Sequence, residues 1–231
     1  MQIKILIQLN NKIAVIGDIH GCYNTLLNIY SKISDIEEIY SVGDLIDRGN
    51  FSKEVVQFCM DNNIRPVKGN HEDMMIKAVE KSDNLFSFIT KDAELYYYNG
   101  GQETQYSYIK SRSYSDFKKF KCSVRDLGHF DFLKNLPLKY EFDKLIISHA
   151  GIIEGGDDVS IIWNRKSPAF LNKLQIFGHT PLQEFNYKKN HFANIDTGCV
   201  YGNKLTAVIT DKLTGEITEI FHEDCVPSDA G

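Results

Sequence analysis

The stretch Ile13-Ala14-Val15-Ile16-Gly17-Asp18-Ile19-His20-Gly21 runs from a short apolar segment straight into a carboxylate and an imidazole held between glycines. An apolar run of this length bounded by turn residues reads as a buried strand. Glycine lets the chain leaving it take backbone conformations that other residues reach only at a cost. The pattern continues downstream. Residues 23–33 carry Leu26, Leu27, Ile29, Tyr30 and Ile33 near a 3.6-residue period, residues 38–42 read as a strand, 52–62 as a helix with Ser52 as candidate N-cap, and 64–68 as a strand. This βαβαβ order implies right-handed crossovers and a largely parallel sheet with helices packed on it.

Beyond residue 70 the texture changes twice. Residues 71–136 are polar and helix-like; after them come short β runs, LKYEF, KLIIS, LQIF, QEFNY, NKLTAVIT and GEITEIF. A second sheet formed mostly from the C-terminal half is therefore expected, with a mainly helical cap or insertion at about 73–136 inside a single domain spanning 1–231. The first ten residues leave an added edge strand open, and the order of the terminal VPSDAG is equally open. No repeat, low-complexity tract or linker interrupts the chain.

Composition excludes several classes. With 42% hydrophobic and 25% charged residues the chain has a globular balance, and no run approaches the roughly 20 apolar residues of a membrane helix. The N-terminal apolar stretch is too short and interrupted for a secretory signal. A net charge of -5 argues against general nucleic-acid binding. Cys22, Cys59, Cys122, Cys199 and Cys225 are odd in number, far apart and without a C-x-x-C pair; they read as buried or idle thiols in a reducing compartment, not as a disulfide framework or a zinc knuckle. A cytoplasmic protein with no membrane partner is expected.

In α/β sheets ligands bind beyond the carboxyl ends of the strands, and five strand-like runs here end in polar clusters. They are GDIHG (17–21), GDLIDRG (43–49), GNHE (69–72), His149-Ala150-Gly151 and GHT (178–180). Each delivers Asp, Asn or His and none delivers Cys, the donor set of a mixed N/O site for manganese, iron or zinc. Residues i and i+2 of an extended segment project to the same side, so Asp18 and His20 can face one ion. One Asp-x-His after a strand is ordinarily a turn; five such clusters are most economically explained by a shared centre.

In order and spacing these motifs resemble the signature of the calcineurin-like metallophosphoesterases. IIWNR (161–165) and IDTGCVYGNKLTAV (195–208) look most similar to the small bacterial and bacteriophage-λ type Ser/Thr protein phosphatases. The resemblance covers about residues 12–210 and skips the helical middle. It implies an α/β fold, a four-layer αββα sandwich of two mixed sheets flanked by helices. It also implies a phosphomonoesterase with two divalent ions, manganese first, with iron or zinc as alternatives. Asp18 and His20 would hold one ion, Asn70, His149 and His179 the other, and Asp44 would bridge them, with a bridging hydroxide as nucleophile. Arg48 and Arg165 match the phosphate-binding arginines; Lys68 stands where many relatives carry arginine, a charge without the guanidinium fork. His71 matches the general acid that protonates the leaving oxygen, and Asp47 its partner.

The implied substrate is phosphoserine or phosphothreonine, with phosphotyrosine also in range, in a protein or a small phosphoester. Symmetrical dinucleoside tetraphosphate hydrolysis is a second enzymatic reading; those enzymes usually carry Ala in place of the Asp of DRG and end their third motif in HD, whereas this chain keeps Asp47 and Glu72. A non-catalytic scaffold is the third, and such members typically lose a ligand or the histidine acid. His129, His191 and His222 fit no motif and read as structural. Trp163 is expected to anchor its loop in the core, and Tyr96, Tyr97, Tyr98, Tyr106, Tyr108 and Tyr114 to pack internally rather than line a groove. Lys110, Arg112, Lys118, Lys119, Lys121 and Arg125 read as a solvated helix face.

Overall fold

The structure, a computed structural model, describes residues 11–81 and 90–230; the open edge-strand reading of residues 1–10 lies outside them. Strand β1 (Lys12–Ile16) pairs in parallel with β2 (Ile39–Ser41), which pairs in parallel with β3 (Arg65–Pro66). Helices α1 (Tyr23–Tyr30) and α2 (Ser52–Asp61) make the crossovers. The chain then runs through α3 (Asn70–Lys81), α4 (Lys91–Tyr96), a π turn at Tyr97–Gly101, α5 (Gln102–Ile109), α6 (Phe117–Asp126) and α7 (His129–Lys134).

The second sheet follows, in the order β4 (Lys139–Glu141), β5 (Leu145–Ser148), β6 (Leu174–Phe177), β8 (Phe192–Asn194) and β7 (Asn186–Lys188). Short helix α8 (Ser160–Trp163) lies between β5 and β6. The last hairpin, β9 (Lys204–Asp211) and β10 (Ile217–Asp224), does not join this sheet. It returns to the first, antiparallel to β1, giving the order β10-β9-β1-β2-β3. Both sheets are therefore mixed, and the C-terminal β runs divide between them. A strand at 192–194 with three residues was too short to stand out in the sequence.

Alternation along the strands sets the layers. Ile13, Val15 and Tyr40 from the first sheet share one apolar cluster with Leu145, Ile147, Leu174 and Ile176 from the second. Ala14, Ile16 and Ile39 face the other way, into the helices with Leu26, Val55 and Met75. The sheets thus pack face to face, with the long helices outside the first. Outside the second lies mostly the 149–173 loop with α8, held by Gln175, whose side chain accepts the Ile152 N–H at 2.8 Å and donates to the Ala169 carbonyl at 2.7 Å. No helix among the described residues is long and apolar enough to cross a membrane.

Candidate active site

The five sequence clusters meet at one end of the two sheets. The GDIHG loop zips onto the GDLIDRG loop: the Ile19 and His20 amides donate to the Asp44 carbonyl at 3.1 and 2.8 Å, and Gly21 to Leu45 at 2.9 Å. His20, Asp44, Asp47, Arg48 and His179 all adopt left-handed backbone conformations, with φ of 45°, 50°, 74°, 70° and 69°. Each such residue costs on the order of 1–3 kcal/mol unless its surroundings hold it. Here they do. The Asp44 and Leu45 amides donate to Glu72 at 3.0 and 2.8 Å, the Asp47 amide to Thr104 Oγ1 at 2.8 Å, and the His179 amide to Asp18 Oδ2 at 3.0 Å.

Asn70, His149 and His179 converge closely. His149 Nε2 lies 2.9 Å from Asn70 Oδ1 and 3.1 Å from His179 Nδ1, and His179 Nδ1 is 2.9 Å from the same Asn70 oxygen. Asp44 Oδ2 stands between this group and His20, 3.5 Å from His149 Nε2 and 3.4 Å from His20 Nε2. Backbone carbonyls select the tautomers: His149 Nδ1 donates to Val42 and His20 Nδ1 to Ile46, each at 2.8 Å, which turns both Nε2 lone pairs toward Asp44. Burial keeps all three imidazoles neutral, lowering the pKa of His20 and His149 and taking His179 to about 3.

The carboxylates carry the opposite imbalance. Burial, then the charges of Asp196 and Asp44, push Asp18 upward, and burial takes Asp196 to about 7. Burial opposes ionisation of Asp44 too, but its attraction for the imidazoles in their protonated forms, His149 first, and the His71 amide outweigh it. Asp18 Oδ1 is buried with no hydrogen-bond partner. Neutral imidazole lone pairs, an amide oxygen and mutually repelling carboxylates, one with an orphaned oxygen, are a donor set that fits divalent cations. One ligand atom is engaged: Arg48 donates through a terminal guanidinium nitrogen to His20 Nε2 at 2.8 Å.

His71 and Asp47 form a closed pair beside this centre, Nδ1 to Oδ2 at 2.7 Å, and His71 Nε2 faces Asp44 Oδ2 at 3.9 Å. Arg165 stands exposed at the rim, and its charge reaches His149, His179 and Asp196. Lys68 is turned away. Its ammonium donates to the Lys134 carbonyl at 2.8 Å, at the C-terminal end of α7, where a helix favours a cation. Trp163 is not a core anchor: it is 37% exposed, with its ring edge-on to His179 at 6.3 Å. Ser52 is the first residue of its helix rather than its cap, because its hydroxyl is taken by the Asp47 amide at 3.1 Å.

Three supporting residues have no role assigned to them by the sequence. Glu72 accepts three amides, from Asp44, Leu45 and Gly69. Asp196 lies in the quoted IDTG run without an assigned role. Thr104 comes from the helical middle and donates to Asp47 Oδ1 at 2.6 Å; Gly100, in the same region, accepts the Arg48 amide at 3.2 Å. Of the tyrosines there, Tyr96 and Tyr108 are buried and Tyr97 packs on Tyr114, whereas Tyr98 is exposed.

The sequence profile of the calcineurin-like phosphoesterases matches residues 11–210. A bis(5'-nucleosyl)-tetraphosphatase (asymmetrical), PrpE, of Anoxybacillus flavithermus is 27% identical, over 84% of this chain and 88% of its own. Serine/threonine-protein phosphatase 1 of Salmonella typhimurium is 27% identical over 83% and 88%. Among solved structures, a putative diadenosine tetraphosphatase superposes with a TM-score of 0.59 at 19% identity, covering 94% of this chain and 95% of that one; it shares the fold.

Proposed function

The chain belongs to the calcineurin-like phosphoesterase family, and from that premise we propose a dinuclear, metal-dependent phosphomonoesterase that acts on phosphoserine and phosphothreonine in proteins. In this reading Asp18 and His20 hold one divalent ion and Asn70, His149 and His179 the other, with Asp44 between them. The N/O donor set suits manganese, with iron or zinc as alternatives. When bound, such ions activate water and neutralise charge on the phosphoryl group. Arg165, and Arg48 once released from His20, supply guanidinium donors to the phosphoryl oxygens. His71, held by Asp47, gives its Nε2 proton to the departing oxygen.

The observation that most supports a phosphomonoester of an alcohol is the closed His71–Asp47 pair. A serine or threonine alkoxide is a very poor leaving group and needs a proton in the transition state. A nucleotide phosphate is already a stable anion and does not. The second reading, hydrolysis of dinucleoside tetraphosphates, is favoured by the PrpE relatives, although these are named for asymmetrical rather than the symmetrical cleavage expected above.

Phosphopeptides assayed beside diadenosine tetraphosphate decide between the two. The proposal expects higher kcat/KM on phosphoserine and phosphothreonine peptides, dependent on added manganese and abolished by EDTA. Preference for the tetraphosphate would establish the second reading, and turnover that survives chelation would sink both.

A further inference from the structure

Away from the N/O centre, three thiols from separate parts of the chain come to one point. Cys22 follows the GDIHG loop and begins α1, Cys199 opens the short turn after Asp196, and Cys225 follows β10. Their sulfurs all lie within 4.8 Å of one another. Cys22 and Cys199 are buried in the apolar cluster on the helical side of the first sheet, and half-buried Cys225 packs against it and opens toward the surface.

The neighbouring carboxylate is already spent. Asp229, whose charge is felt at Cys22 and Cys225, is buried and saturated by the start of α1. Its Oδ1 accepts the Asn24 amide at 3.1 Å and side-chain amide at 2.7 Å, and its Oδ2 accepts the Thr25 amide and hydroxyl, both at 2.7 Å. The Cys22 and Cys225 thiols make only long contacts to the His20 and Val226 carbonyls, at 3.8 and 3.6 Å, so three sulfurs converge here with no free carboxylate among them.

A single buried cysteine behaves as a small apolar residue and calls for no ligand. Three with converging sulfurs make a donor set, and one of the opposite softness to the Asp/His/Asn centre. Thiolates about 2.3 Å from a shared ion stand about 4 Å apart, so these sulfurs close on a cation with only a small contraction. Cys225 supplies the entry path.

We propose that Cys22, Cys199 and Cys225 form a three-sulfur site for a divalent thiophilic cation of the zinc or cadmium type, distinct from the centre at the strand ends. Each thiol releases its proton to solvent as its sulfur takes the ion. The bound ion ties the loop of Asp18 and His20 to the turn after Asp196 and to the C-terminal segment. It binds the folded chain, whose geometry assembles the three sulfurs, and so stabilises it by mass action.

The test uses reduced protein carrying Cys122→Ser, which removes the exposed thiol, saturated first with Mn2+ and then titrated with Cd2+ alone. Thiolate-to-cadmium charge-transfer absorbance and the thermal midpoint are followed together. The expected result is a band that saturates at one equivalent with a rise in the midpoint, both lost in Cys225→Ser and in Cys225→Ala. Cys225 is half-buried, so these variants keep the fold, checked by their midpoints before cadmium is added. No thiolate band in the parent protein, or a band and stabilisation unchanged in both Cys225 variants, overturns the proposal.

Discussion

Nδ1 of His71 lies 2.7 Å from Oδ2 of Asp47, and neither side chain is exposed to solvent by more than 1%. The other Asp47 oxygen takes the Thr104 hydroxyl, so the carboxylate is fixed at both ends and the imidazole can turn only one nitrogen, Nε2, toward the cluster. Burial alone would strip the ring of its proton. The charge of Asp44 and the hydrogen bond that the ring donates to Asp47 outweigh it and raise the pKa. A proton held in this way is useful in proportion to how badly the leaving group needs it. His71→Asn should lower kcat on a phosphoserine peptide by about 10²–10⁴ and on p-nitrophenyl phosphate by clearly less, with KM little changed. Steady-state kinetics on both substrates check this; equal losses would remove His71 from the role of acid.

Gly178 and Asp18 are pressed together. A Cβ on Gly178 would overlap the orphaned Asp18 Oδ1, and the atom it meets belongs to a carboxylate already fixed by the His179 amide. Gly178→Ala therefore displaces a proposed ion ligand without touching the ion's other donors. Manganese affinity should fall about 10–100-fold, the range for groups that orient a ligand, as measured by isothermal titration. Wild-type affinity would show that Asp18 does not contact the ion.

Glu72 acts through backbone alone. Its carboxylate accepts the amides of Asp44, Leu45 and Gly69, and burial together with the Asp44 charge lifts its pKa to about 7. Glu72→Gln keeps the shape but turns an N–H2 group toward at least one amide donor, leaving it unsatisfied at a cost of about 1–3 kcal/mol. The strained Asp44 backbone loses its restraint at the same time. Denaturant melts should show that loss of stability, and the manganese requirement should rise with it.

These three sites differ in how far the sequence exposes them. Asp18, His20, Asp44, Asn70, His149 and His179 each follow an apolar run, so strand-end logic gathers them at one end of the sheets, whereas the face-to-face packing of the two sheets came only from the family resemblance. Thr104 was invisible because its contact with Asp47 spans 57 residues and its helix has no motif. The left-handed conformations at Asp44 and Asp47 were equally hidden, since carboxylates at those positions read only as ligands, not as strain. Lys68 shows the limit of a charge read alone: it suits a phosphate, and in the structure its ammonium donates to the carbonyl at the end of α7. The destination of β9 and β10 was undecided by local pattern, because an antiparallel hairpin reads the same in either sheet.

His129, one of the histidines without a motif, links the helical middle to α2 as a neutral ring. Its Nδ1 accepts the Tyr108 hydroxyl at 2.6 Å and its Nε2–H donates to Gln57 Oε1 at 3.0 Å, an arrangement that leaves no lone pair for a second proton. Burial, aided by the charge of Lys53, lowers its pKa from 6.5 to about 4. The folded chain thus binds this proton less readily than the unfolded one. Stability from the neutral ring is fully present above pH 6.5 and is lost progressively as pH falls through about 4. The buried, pKa-lowered His20, His149 and His179 act in the same sense, so a single acid melt does not isolate His129. The difference between proteins does: the thermal midpoint of the wild type should fall more steeply across that window than that of His129→Gln, although the variant starts about 1–2 kcal/mol less stable near neutrality from its altered hydrogen bonds. Parallel pH profiles for the two proteins would mean that His129 accepts its proton in the folded state and is not held neutral by Tyr108 and Gln57.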